Sequence, residues 1–138
     1  MSAATDPADF DAGLRNLIDD FAELYGPLLH DPAWVHDQCR ELSEQFARGC
    51  DVRGIPAEVV SGLRFGEDPH FPGEQVVTGG HYAVQVPTRR DAAGAWGSPV
   101  VVDWSARQFD PAAAVPEFTA PETWRQTWRS HAGPPPAT

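Results

Sequence analysis

His81-Tyr82-Ala83-Val84-Gln85-Val86 and Pro99-Val100-Val101-Val102-Asp103-Trp104 are the two stretches whose reading decides the fold. The first alternates, with Tyr82, Val84 and Val86 on one face, and the second reads as its partner strand. Gly94 to Gly97 supplies a turn, so the two form an antiparallel hairpin closing over the 88–98 loop. With the register centred near residue 92, His81 falls opposite Asp103, Ala83 opposite Val101 and Gln85 opposite Pro99. Directly opposed residues share a face, with Cβ atoms about 5 Å apart. His81 and Asp103 thereby become hydrogen-bonding neighbours, while Tyr82, Val84, Val100 and Val102 face a core. A slip of one residue would place the pair on opposite faces.

Working outward from this hairpin, Ala57 to Arg64 reads as a further strand, and 67–80, rich in Gly and Pro, as a loop. The N-terminal half has helical periodicity instead. Over residues 6–25, Asp6 can cap, Pro7 suits the first helical position, and Phe10, Leu14, Leu17, Phe21 and Leu24 form one apolar stripe. Gly26-Pro27 stops that helix. A second helix lies between about Pro32 and Arg48, with Leu42 and Phe46 inward and Gly49 as its stop. Two starts are open for it: Asp31 capping with Pro32 first, or Asp37 capping a helix from Gln38. Downstream, a short helix from Pro121 to about Arg129 carries Trp124 and Trp128 on one face, as lid or core anchors. Residues 133–138 read as a disordered Pro-rich tail. Helices first and an antiparallel sheet second make residues 1–132 a single α+β domain, N-terminal helices packed on a small sheet.

Composition narrows the partners. A chain of 138 residues and 15.0 kDa is one domain's worth, with globular proportions of 41% hydrophobic and 22% charged residues. Ten cations, all arginine, stand against twenty acids, for a net charge of −10. Phosphate backbones and anionic membranes require clustered cations, so neither nucleic acid nor a membrane is an expected partner. No secretory signal opens the sequence, and the expected compartment is the cytoplasm or a larger parent chain. Cys39 and Cys50 read as free thiols: on one helix they would stand about 16 Å apart, beyond disulfide reach. His30, His36, His70 and His131 lack ligand spacing, and a zinc site from Cys39, Cys50, His36 and His81 is only a minor alternative. No metal or cofactor is expected.

A histidine held by a carboxylate has a fixed tautomer and a stabilised imidazolium. The remaining requirement is a nucleophile. Cys39, near a helix N-terminus, suits that role, because the helix dipole and a neighbouring imidazolium both favour thiolate.

The order Cys39, His81, Asp103 resembles the papain-like and transglutaminase-like cysteine enzymes. Gln38-Cys39 opening a helix resembles their nucleophile region, His81-Tyr82-Ala83-Val84 their His strand, and Val102-Asp103-Trp104-Ser105 their Asp strand. The stretch from Asp103 to Phe109 is also similar to small bacterial papain-fold domains, toxin-type ones included. The resemblance spans roughly residues 37–110. It implies a papain/transglutaminase-like core and a thiol enzyme forming an acyl-enzyme from a peptide, protein or small amide or acyl substrate. The acyl group would pass to water or to an amine. Cys39 would be the nucleophile, His81 the general base and then acid, and Asp103 the orienting group. Two positions depart from the pattern: Ala33 stands where papain-type peptidases place an oxyanion glutamine, and Arg40 where an aromatic commonly follows the transglutaminase cysteine. Oxyanion stabilisation then falls to the Cys39 N–H with Gln38, or to Gln108 folded back. Trp34 and Trp104 are the candidate substrate-binding side chains. The alternatives are a non-catalytic binding or accessory module on the same fold, and an interaction or toxin-type domain of a larger chain. Oligomeric state is left open.

Overall fold

The computed structural model describes residues 6–129; the tail expected at 133–138 lies outside the described residues. Two aspartates divide the first helical stretch. Asp6 accepts from the Ala8 N–H and starts a single 3-10 turn at Pro7–Asp9. Asp11 accepts from the Gly13 N–H and caps α1, Ala12–Tyr25. The helix expected to run unbroken from residue 6 is therefore interrupted at Phe10, whose buried ring meets Phe118 edge-on at 5.2 Å. The Asp11 N–H donates to the Thr88 carbonyl at 2.7 Å and ties the start of α1 to the sheet. Leu14, Leu17, Ile18 and Phe21 are buried as their spacing requires. Leu24, expected on the same stripe, is 74% exposed. Tyr25 takes that place, its ring centroid 5.0 Å from that of Phe21.

Of the two starts open for the second helix, the chain uses the first for only one turn. Asp31 accepts from the Ala33 N–H and caps α2, Pro32–Val35. The backbone then breaks at Asp37, with φ +65°, and restarts as α3, Cys39–Val52. Asp37 is not the cap; Gln38 is, its carbonyl accepting from the Leu42 N–H at 2.9 Å. Gly49 does not stop α3, which continues through buried Cys50 and is followed by Gly54 at φ +72°. Gly49 serves packing instead: a Cβ there would stand 2.9 Å from Leu17 Cδ1, so its absence lets α1 and α3 approach.

The sheet is antiparallel in the order β1 (Glu58–Asp68), β2 (Phe71–Arg90), β3 (Trp96–Asp103), β4 (Glu117–Thr119). Its first hairpin corrects the expected loop at 67–80. This segment is a paired ribbon that turns between Asp68 and Phe71. Residues 71–78 are exposed and pair with β1 alone, so no buried face imposes an alternating pattern. Pro72 and Gly73 are tolerable there because the other edge of β2 is unpaired at that level.

The second hairpin is displaced by two residues from the expected register. Val84 lies opposite Val102, Val86 opposite Val100 and Pro87 opposite Pro99. The cause is the tip: pairing continues to Arg90–Trp96, which shrinks the 88–98 loop to a turn. Asp91 organises that turn, its Oδ1 accepting from the Ala93 and Ala95 N–H groups, each at 2.9 Å. A displacement of two conserves which face each side chain occupies. His81 and Asp103 thus share a face but meet diagonally rather than directly.

Both faces of the central part of the sheet are covered. Val84, Val86, Val100 and Val102 join the α1 and α3 core, while Ala83 and Val101 pack beneath Trp124 and Trp128. These tryptophans come from α4, Pro121–Thr127, and the residue after it. Gly62 in β1 makes the second layer possible, since a Cβ there would lie 2.7 Å from the Trp128 backbone. Leu63 and Arg129 exchange backbone hydrogen bonds at 2.7 and 2.8 Å and fasten the chain beside β1. The molecule is an α+β fold with a four-stranded antiparallel sheet. Among the described residues, no helix is long and apolar enough to cross a membrane.

Candidate active site

Three elements converge on His81. It lies on β2, fully buried, and its Nε2–H donates to Asp103 Oδ2 at 2.6 Å. Asp103 closes β3, and its other oxygen, Oδ1, accepts from the Ser105 N–H at 3.0 Å. One carboxylate oxygen is thus anchored by backbone, leaving the second to fix the imidazole. With Nε2 committed to Asp103, Nδ1 is the nitrogen left to face the thiol. Cys39 is the first residue of α3, half-buried, and its thiol lies beside His81, the Tyr82 N–H and Gln108.

The electrostatics follow from this wiring. Burial pushes the Cys39 thiol up, but the hydrogen bond and charge of His81, together with the Tyr82 N–H and Gln108, outweigh it and bring the thiol below its ordinary value. Burial likewise opposes the charged form of His81, yet its hydrogen bonds to Asp103 and Cys39 and the charges of both raise it to about 9. The two shifts favour one state, a thiolate beside an imidazolium. Cys50 provides the contrast: it is fully buried, with no such partners, and burial lifts it to about 12.

Gln108 is folded back as the second oxyanion candidate requires. It sits on a 3-10 turn, Ala106–Gln108, with Nε2 3.3 Å from Ser105 Oγ and 3.4 Å from His81 Nδ1. Gln38 is the N-cap of α3, makes no side-chain cap bond, and adjoins the thiol in sequence. The Cys39 N–H, in the first turn of α3, has no intrahelical acceptor.

The two tryptophans proposed for substrate pack into or against the helical core. Trp104 is 3% exposed, packed on Phe21 at 4.6 Å and Phe46 at 5.4 Å. It is a core residue, which corrects its expected role. Trp34 is half-buried, with its ring 5.7 Å from Tyr25, in the wall of the helical core.

Several contributors were not visible in sequence. Phe109 and Trp128 each stand 4.9 Å from the His81 ring and Trp124 stacks at 6.4 Å, sealing the imidazole from water. Glu117 pairs with Asp103 across β3 and β4; burial pushes its carboxyl up, and the charges of Asp103 and Asp110 add to this against an opposing His81. The Tyr82 N–H is a backbone group, for which residue identity holds no signal. Trp128 was marked only by its spacing from Trp124. A cleft of about 680 Å³ lies between α4 and β1, lined by Trp124, Trp128 and Glu58–Ser61, and does not include the thiol. Among the described residues, no group of three or more His, Cys, Asp or Glu side chains could hold a metal ion.

Comparison with known proteins finds no match: no family model, curated protein or solved structure is similar to the chain. The chemistry is therefore read from the residues themselves.

Proposed function

We propose that the protein is a thiol-dependent acyl-transfer enzyme acting through Cys39, His81 and Asp103. The observation that carries this reading is the buried 2.6 Å contact between His81 Nε2 and Asp103, with the Cys39 thiol beside the same ring. A nucleophile at a helix N-terminus, with His and Asp on adjacent antiparallel strands, resembles the plan of papain-like and transglutaminase-like enzymes and supports placing the core with them.

In the proposed reaction the Cys39 thiolate adds to an amide or acyl carbonyl carbon, forming a C–S bond. Negative charge moves to the carbonyl oxygen, where the Cys39 N–H and the Gln38 or Gln108 amide can donate. Collapse breaks the bond to the leaving group, which takes the proton held on His81 Nδ1. Water or an amine then attacks the thioester, returning its proton to Nδ1 and freeing the thiolate. Asp103 holds the ring in place and stabilises the imidazolium.

An activated ester tests the step without knowledge of the natural substrate. With p-nitrophenyl acetate the protein should release a burst of one equivalent of nitrophenolate and carry an acetyl group on Cys39. Absence of the burst, or its persistence in Cys39→Ala, overturns the assignment.

A further inference from the structure

Glu117 on β4 lies directly opposite Asp103 on β3, and directly opposed residues share a face with Cβ atoms about 5 Å apart. Both line one cavity of about 200 Å³, which includes neither the thiol nor His81. The two acids differ in what holds them. Asp103 uses Oδ1 to accept the Ser105 N–H and Oδ2 to hold His81. The Glu117 carboxyl makes no hydrogen bond or ion pair with any described residue. The charges that act on it come from Asp103 on β3, Asp110 in the loop after the 3-10 turn, and His81 on β2. Arg64 of β1 also lines the cavity, but its guanidinium stacks on the aromatic cover, 5.0 Å from the Phe109 ring and 5.2 Å from that of Trp128. α4 contributes no titratable side chain to this cavity. Like charges directly opposed across strands repel, so the two acids call for a shared cation. His81 is the cation whose charge acts on Glu117 and which Asp103 binds.

We propose that Glu117 is a positioning residue of the thiol enzyme: its carboxylate sets a second negative charge beside Asp103 and keeps His81 protonated, as the acid for the leaving group, to higher pH than Asp103 alone would. The inference rests on the proposed thiol chemistry and adds a residue that acts through His81. His81 is among the charges that bear on Glu117, whereas Glu117 is not among the groups that bear on Cys39. The carboxylate therefore favours the imidazolium without equally opposing the thiolate. Glu117 is half-buried and exchanges its proton with solvent, while the His81 side chain stays fully sealed.

Nuclear magnetic resonance of the protein carrying ¹³C-labelled histidine and glutamate tests this. The His81 Cε1 resonance should titrate near 9 in the parent. In Glu117→Gln, which keeps the shape and removes the charge, the midpoint should fall by about half a unit, roughly a threefold loss of proton affinity. Glu117→Asp retains a charge and should recover part of that fall. Glu122→Gln, at an exposed site on α4, should leave the midpoint where it is. In the unaltered protein, His81 should also show a smaller second inflection at the pH where Glu117 Cδ titrates. That measurement decides the matter even where neither Glu117 variant folds. An unmoved midpoint in Glu117→Gln, or the absence of the second inflection, overturns the role of Glu117 alone. A parent His81 that titrates near its ordinary value of about 6.5 rejects the thiolate–imidazolium pair itself, and the role of Glu117 with it.

Discussion

His81 Nε2 lies 2.6 Å from Asp103 Oδ2, and both side chains are shut away from solvent. The carboxylate also accepts the Ser105 N–H, and burial opposes the charge on the imidazole beside it, yet the hydrogen bonds and charges of Asp103 and Cys39 make that imidazole easier to protonate. The consequence reaches the surface through Cys39, where the proposed chemistry occurs.

Asp103→Asn removes the charge but preserves the shape. The imidazolium loses its principal support, so Cys39 should be less ionised at neutral pH. The burst with p-nitrophenyl acetate should slow by two or more orders of magnitude, in line with loss of the orienting carboxylate from comparable triads. A burst rate within a few-fold of the parent would show that Asp103 does not act through His81.

Stability should depend on pH through the same pair. His81, raised to about 9 from an ordinary value of about 6.5, stabilises the folded state most at pH below 6.5, and this contribution fades as pH rises through 9. The Tm difference between the parent and Asp103→Asn should therefore be largest near pH 6 and shrink above pH 9. Thermal melts across that range check the sign, and a difference that widens with pH contradicts it.

Gly62→Ala probes the aromatic cover. A Cβ would meet the Trp128 backbone at 2.7 Å, and backbone cannot swing aside as a side-chain tip can. Overpacking of this kind costs about 1–3 kcal/mol. Chemical denaturation should register the loss, and near-ultraviolet circular dichroism should report displaced tryptophans.

Gly49→Ala sets two effects against each other. Alanine favours a helix interior by about 1 kcal/mol over glycine, but its methyl would stand 2.9 Å from Leu17 Cδ1. The single variant should be destabilised. In a Leu17→Ala background the clash is gone, and the same substitution should stabilise; a double-mutant cycle in urea measures that reversal.

How much of this was legible in the sequence depended on whether one face of an element was buried. Leu14, Leu17 and Phe21 announced α1, and Val84, Val100 and Val102 announced the central strands, because each set faces a core. Face parity alone brought His81 and Asp103 together, and it survived a register error of two residues. The register itself depended on Asp91, whose side chain organises the turn from within the interval read as loop. The 67–80 ribbon carried no alternation because water lies on both sides of it. Gly49 resembled a helix stop, yet its function is close contact with Leu17, a relation between distant residues. Gln108 was foreseen beside the thiol only on condition that the chain fold back, whereas the cover by Phe109 arises entirely from tertiary structure.

The most direct test is the pH dependence of iodoacetamide alkylation, with the modified cysteine located by mass spectrometry. Cys39 should label rapidly well below the ordinary thiol value of about 8.5, more slowly after Asp103→Asn, while Cys50 stays unmodified until the protein unfolds. Labelling of Cys39 that rises only near pH 8.5, unchanged by loss of Asp103, would contradict the thiolate–imidazolium pair and with it the proposed enzyme.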